Sequence, residues 1–142
     1  MQTISADLQE KTVRLMRKMP FVKAIILGEL TDDAEVYRWL SDDLKFKTET
    51  NDNFLTGLRG GINILYTDFK NQFSKLGECK NFKIAVMYDQ YFVKKVQIGT
   101  NILMTVISET ASVDMGQLDL LIHEFSQNFE LVDKHISTLK DD

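Results

Sequence analysis

The sequence predicts a single α+β domain over residues 1–142, a five-stranded antiparallel sheet with helices on both faces in the order α-β-β-α-β-β-β-α. Three observations predict it. Apolar residues recur at helical spacing near the start, in the middle and at the end of the chain. Between these stretches lie short runs rich in β-branched residues. Three of them, "NFKIAVMYD", "YFVKKVQIG" and "NILMTVISET", are divided only by Asp89-Gln90 and Gly99-Thr100, connections short enough to join antiparallel neighbours in a meander. The first and third of those runs are apolar at nearly every position. A strand wet on one face would alternate, so helices are expected on both faces of the sheet.

In chain order, Leu8, Thr12, Leu15, Met16 and Met19 share one face of a first helix that Pro20 is expected to stop. "FVKAIILG" is a buried strand by length and composition. "TDDAEVYRWLSDDL" is open: Thr31 or Asp32 can cap a helix using Val36, Tyr37, Leu40 and Leu44, or residues 35–41 can be the return strand of a hairpin, and local pattern slightly favours the helix. "SDDLKFKTETNDN", residues 41–53, is polar and turn-rich, a loop. A second helix runs from there to about Leu76, with Gly77 as its stop. After the meander, Leu118, Leu121, Ile122, Phe125, Phe129, Val132, Ile136 and Leu139 form the long stripe of a last helix.

The second helix contains Gly57, Gly60 and Gly61, each costing a helix interior roughly 1 kcal/mol relative to alanine. Projected at about 100° per residue, Leu55, Leu58, Ile62, Leu65, Phe69 and Phe73 cover one side and are expected to face the sheet. Gly57, Gly61, Ile64 and Asp68 gather opposite. Two glycines four apart leave bare backbone against which another helix packs closely. The helix is therefore expected to be buried twice, on its own sheet and on another subunit, rather than broken at Gly60-Gly61. The strand "NFKIAVMYD" begins the meander after a crossover and is a candidate sheet edge, open to a strand from another chain.

A formal net charge of −4 disfavours a protein built to hold nucleic acid. The single cysteine, Cys79, cannot form an internal disulfide and has no pattern of an activated thiolate. The N-terminus does not read as a signal peptide, and the longest uncharged stretch, Val96 to Ser108, is too short to span a bilayer, so membrane contact is expected only through a partner. "HEFSQ" opens like a zinc-protease motif, but Gln127 stands where a second histidine is needed; His123 and His135 lie about 18 Å apart on one helix. Asp32-Asp33 and Asp42-Asp43 read as solvated turn residues. "GLRGG" lacks the Gly-Lys-Ser/Thr of a phosphate loop. Lys94-Lys95 and the basic face of the first helix lack the interleaved aromatics of a nucleic-acid surface. No catalytic, metal or cofactor site is expected.

The stretch 72–132, especially "QFSKLGECKNFKIAVMYDQY", "ILMTVISETASVDMG" and "HEFSQNFELV", resembles the roadblock/longin-type family of scaffold domains, and within it the late endosomal/lysosomal adaptor and MAPK and mTOR activator family that supplies the third subunit of Ragulator. The resemblance implies a roadblock-like fold, with residues 35–41 a strand, and a non-catalytic scaffold that heterodimerises with a second roadblock-type subunit. It places Gly57, Gly61, Ile64 and Asp68 against the partner helix and Lys83, Ala85 and Met87 on the pairing strand. Other Ragulator subunits, Rag GTPases and MAP-kinase pathway kinases are the further partners implied, in support of TOR complex signalling. The location implied is the cytoplasmic face of late endosomes and lysosomes, held by a lipidated companion. The sequence departs from the family at the hairpin turn, "LTDDAE" instead of Asp-Gly, and its second helix is longer by about two turns. The rival readings are a homodimeric dynein-associated roadblock light chain and a small-molecule sensor domain.

Overall fold

The computed structural model describes residues 2–30, 34–43, 46–47, 52–77, 83–98 and 102–127. The elements are α1 (Gln2–Met16), β1 (Val22–Glu29), β2 (Glu35–Leu40), α2 (Asp52–Phe73), β3 (Lys83–Met87), β4 (Tyr91–Ile98), β5 (Ile102–Glu109) and α3 (Met115–Gln127). The strands form one sheet in the order β2-β1-β5-β4-β3, every neighbour antiparallel. The fold class and element order follow the expectation.

Two apolar cores lie on the two sides of the sheet. Ile25, Leu27, Val96, Met104 and Val106 meet Leu8 and Met16 of α1 and Leu118, Leu121 and Phe125 of α3. Ala24, Val93 and Ile107 meet Leu55 and Ile62 of α2, together with Phe46 and Tyr91. β5 is buried from Ile102 to Ser108, as a strand covered on both faces must be.

Residues 35–40 form a strand, against the local helical pattern. Pairing from Leu27↔Tyr37 to Ala24↔Leu40 supplies main-chain hydrogen bonds along the segment, and Tyr37 and Trp39 alternate into the α1 side of the sheet. The Tyr37 hydroxyl donates to Gln9 Oε1 of α1 at 2.6 Å. Burial raises the Tyr37 pKa, with its contact to Thr12 working the other way. A phenol whose folded pKa is raised contributes stability that is full below its unfolded value of 10.0 and lost as pH climbs through the folded one. Melts taken stepwise into alkali should show a shallower decline for Tyr37→Phe than for wild type, on a baseline lower by about 1 kcal/mol. Parallel pH profiles would contradict this placement of the hydroxyl.

Four details differ from expectation. α1 ends at Met16, ahead of Pro20, and two i→i−3 bonds, Lys18 to Leu15 and Met19 to Met16, tighten the exit so that Met19 still reaches the core. The polar segment 41–53 contributes a core residue, Phe46, which is 2% exposed and stands edge-on to Tyr91. β3 is not covered on both faces: Lys83, Ala85 and Met87 are exposed, because the strand lies at the margin of the sheet. Leu65, Phe69 and Phe73 do not lie against the sheet, as described below.

α2 closes with a 3-10 turn (Ser74–Leu76), and Gly77 stops it at φ +146°, a conformation that favours glycine. At α3, Asp114 Oδ1 accepts the Gln117 amide at 3.1 Å and caps the helix. The outer part of the last stripe, Phe129 to Leu139, lies outside the described residues.

Candidate interaction surface

α2 is one uninterrupted helix of 22 residues across all three glycines, so Gly60-Gly61 does not break it. It is about 33 Å long. The longest strands, at eight residues, span about 26 Å. The sheet is therefore too short to cover the helix. Leu55, Ile62 and Tyr66 are buried, Leu65 is turned onto the flank and 40% exposed, and beyond Tyr66 the apolar stripe runs out past the sheet: Phe69 is 42% exposed, Phe73 52% and Leu76, in the turn that follows, 87%. Leu65, Phe69 and Phe73 were expected against the sheet; Leu65 is turned onto the flank of the helix, and helix length carries Phe69 and Phe73 beyond the strands.

The two flanks of α2 are fixed by their contacts. Arg59 pairs with Glu35 of β2 at 3.3 Å, so that flank looks toward β2. Phe54 stands edge-on to Tyr91 at 6.0 Å, so the opposite flank looks toward the β3–β4 turn. Gly57 joins Phe54, Leu58, Tyr88 and Tyr91 in a groove of about 600 Å³ there. Helical projection puts Gly61, Ile64, Leu65 and Asp68 along the same flank. Ile64, 64% exposed, stands among them. Nothing lies within 4 Å of where a Cβ would sit at Gly57, Gly60 or Gly61. Gly60 projects to the margin of this strip, about 40° round the helix from Ile64. With open space where its Cβ would sit, Gly60→Ala is expected to stabilise the domain by about 1 kcal/mol, readable as a raised denaturant midpoint.

β3 ends the sheet beside this flank, and its outer edge has no strand paired to it among the described residues. Ile84 and Val86 pack toward the α2 side. Lys83, Ala85 and Met87 lie opposite Val96, Lys94 and Phe92, on the α3 side. The structure thus gathers Gly57, Gly61, Ile64 and Asp68 in one strip, but the side chains of Lys83, Ala85 and Met87 project from the other face. What β3 brings to the strip is its main-chain edge. Phe54, Tyr88 and Leu76 border the same strip and were not singled out from sequence, while Leu65, Phe69 and Phe73 were assigned to the sheet. The signal was present in an apolar stripe longer than any strand can match.

The remaining chemical candidates are dispersed. Lys94 bonds Asp119 of α3 at 2.8 Å, and Lys95 is fully buried on the α2 side, so the pair is no basic patch. Asp42 meets Lys47 at 3.3 Å. Asp43 is not a free turn carboxylate: it accepts Lys23 Nζ at 2.9 Å, and Glu109 stands 3.3 Å from the same ammonium. Burial alone would lower the Lys23 pKa; the bond to Asp43 and the charge of Glu109 more than offset it, leaving the pKa raised. His123 is exposed; His135, Cys79 and Asp32-Asp33 lie outside the described residues. Among the described residues no three His, Cys, Asp or Glu side chains are grouped to hold a metal, and no helix is long and apolar enough to cross a membrane.

No family model matches the chain, and no curated protein matches it. Solved structures do. The gliding protein MglB of Thermus thermophilus superposes with a TM-score of 0.62 at 10% identity, covering 87% of this chain and 83% of that one. An MglB structure described as having a tetrameric arrangement gives 0.65 at 9% identity, with 89% and 90% covered. A Roadblock/LC7 domain from Streptomyces avermitilis gives 0.54 at 13% identity, with 83% and 93% covered. Likeness at such identities speaks for the fold alone, and the fold is that of Roadblock/LC7 domains.

Proposed function

We propose that the chain is a non-catalytic scaffold subunit that pairs with a second roadblock-type subunit through α2 and the outer edge of β3. One observation carries this reading: the C-terminal half of α2 exposes its large apolar side chains beside an open strand edge. Each of those features is a liability in a lone domain. Both are covered together when helix lies on helix and edge on edge. The MglB described as tetrameric is a protein of this fold that assembles, a behaviour extended here to this chain as part of the proposal.

The finer role in this proposal is that of a Ragulator-like subunit, supported by the resemblance of residues 72–132. In that role the chain heterodimerises with a different roadblock subunit and joins other Ragulator subunits. The pair recruits Rag GTPases, supports TOR complex and MAP-kinase signalling, and sits peripherally on late endosomes and lysosomes through a lipidated companion. The test is co-expression with roadblock subunits and Rag GTPases, followed by affinity purification and native mass spectrometry. A one-to-one roadblock pair that retains a GTPase is the expected result. A chain that captures no roadblock subunit and stays monomeric contradicts the pairing; a pair that never retains a Rag GTPase contradicts the Ragulator-like role.

A further inference from the structure

We propose that the start of α2 and the β3–β4 turn bind an extended peptide segment of a partner protein, one that carries a bulky apolar residue two positions from an arginine or lysine. The proposal goes beyond the pairing of subunits and stands on two depressions that share a wall. One is the groove of about 600 Å³ between Phe54, Gly57, Leu58, Tyr88 and Tyr91. Its walls are aromatic and its floor at Gly57 is bare, with nothing within 4 Å of where a Cβ would sit. The other, of about 230 Å³, is lined by Asp43, Phe46, Asp89 and Glu109. Asp89, Gln90 and Tyr91 line both. Tyr91 lies opposite Glu109 in the β4–β5 register, so the acidic pocket is inward of Tyr91, away from the β3 edge.

The shared rim is fixed in place. The Tyr88 amide donates to the Tyr91 carbonyl at 2.8 Å, the Thr110 amide to the Gln90 carbonyl at 2.9 Å, and the Thr110 hydroxyl to the Tyr88 carbonyl at 2.8 Å. The turn is thereby fastened to the end of β5, and the site is formed before a ligand arrives. Charge names the occupant. Three carboxylates face one ammonium, that of Lys23, which bonds Asp43 and stands 3.3 Å from Glu109. Asp89 is exposed, with no cation paired to it among the described residues. This excess repels a nucleic acid or an anionic membrane. The carboxylates are too scattered to enclose a metal ion, since no three among the described residues are so grouped. A guanidinium, by contrast, spreads its charge over five N–H donors and stacks on aromatic faces, which suits Phe46 and Tyr91 amid the three acids. The spacing suits a strand. The rings of Phe46, on the acidic side, and Phe54, on the apolar side, each stand 6.0 Å from Tyr91. An extended peptide presents residues i and i+2 on one face about 7 Å apart, so two side chains of one segment reach both pockets.

The test titrates labelled hexapeptides against the full chain by fluorescence polarisation. They carry tryptophan, leucine or alanine at one position and arginine, lysine, alanine or glutamate two positions away, in either order. The peptide with tryptophan and arginine is expected to bind with the lowest Kd. Alanine in place of its tryptophan should weaken binding at least about tenfold, and glutamate in place of its arginine should do the same. Asp89→Lys should narrow the preference for arginine over glutamate at least about fivefold. Gly57→Leu, which fills the groove, should weaken the tryptophan peptide at least about tenfold. Both positions are exposed, and circular dichroism checks that each variant is folded. Three results overturn the proposal: no peptide of the set bound with a Kd below about 1 mM, arginine and glutamate peptides bound alike, or preferences unmoved in the two variants. The titration uses the chain without a partner, so its failure leaves subunit pairing standing. A chain that captures no roadblock subunit yet binds the peptides with these preferences removes the pairing and supports this site.

Discussion

Gly61→Leu is expected to leave the domain folded and to weaken pairing with a second roadblock-type subunit by at least about 100-fold, roughly 2.7 kcal/mol. The two effects separate because Gly61 has different surroundings in the two states. In the free chain nothing lies within 4 Å of a Cβ at this position, so leucine points into solvent. Relieving a helical glycine stabilises the monomer by up to about 1 kcal/mol. In the pair, glycine permits an interaxial distance near the short end of the 8–10 Å range, whereas leucine pushes the helices apart along their whole length. Contacts at Leu65 and Phe69 are then lost with it. Titration calorimetry and a denaturant curve on the same preparation check both halves: stability up, affinity down. Unchanged affinity would remove Gly61 from the interface.

The second large effect is on stability. Phe46→Ala is expected to cost about 3–5 kcal/mol and to lower the melting temperature by about 10–15 °C in a domain of this size. Phe46 is 2% exposed in a core that holds few large side chains, and its ring meets Tyr91 edge-on at 6.0 Å. Truncation opens a cavity under α2, beside Leu55 and Ile62. Tyr91 also touches Phe54, so the start of α2 should loosen as well. Thermal melts followed by near-ultraviolet circular dichroism measure this. A loss below about 1 kcal/mol would mean that Phe46 is not the plug of this core.

Those two residues also mark where the sequence was legible and where it was not. β1, β4, β5 and the buried part of α3 follow from apolar runs and stripes, because a fully covered sheet requires them. The glycines of α2 pointed to a bare strip, and the structure leaves them in open space. Phe46 was hidden because its neighbours are charged and polar; a single aromatic in such a segment has no period to reveal it. β2 was open in its local pattern for the opposite reason, and it was the family resemblance that gave residues 35–41 as a strand. Its pattern satisfies a helix locally, and only pairing with β1, a contact distant in sequence, decides for a strand. The outward run of Phe69 and Phe73 repeats at the same spacing as the buried run before it, and nothing in the pattern says where the sheet stops. The side chains of Lys83, Ala85 and Met87 were expected on the pairing strand, and their direction depends on the register with β4, which no local pattern fixes.

The central claim is that one flank of α2 and the outer edge of β3 form a single pairing surface. Amide hydrogen exchange of the isolated chain, compared at low concentration and in the assembled pair, tests it most directly. The account predicts that assembly slows exchange along β3, Lys83–Met87, and along α2 from Phe54 to Phe73, with β2 at the opposite margin unchanged. Slowing at β2, or β3 amides that exchange equally fast in both states, would contradict it.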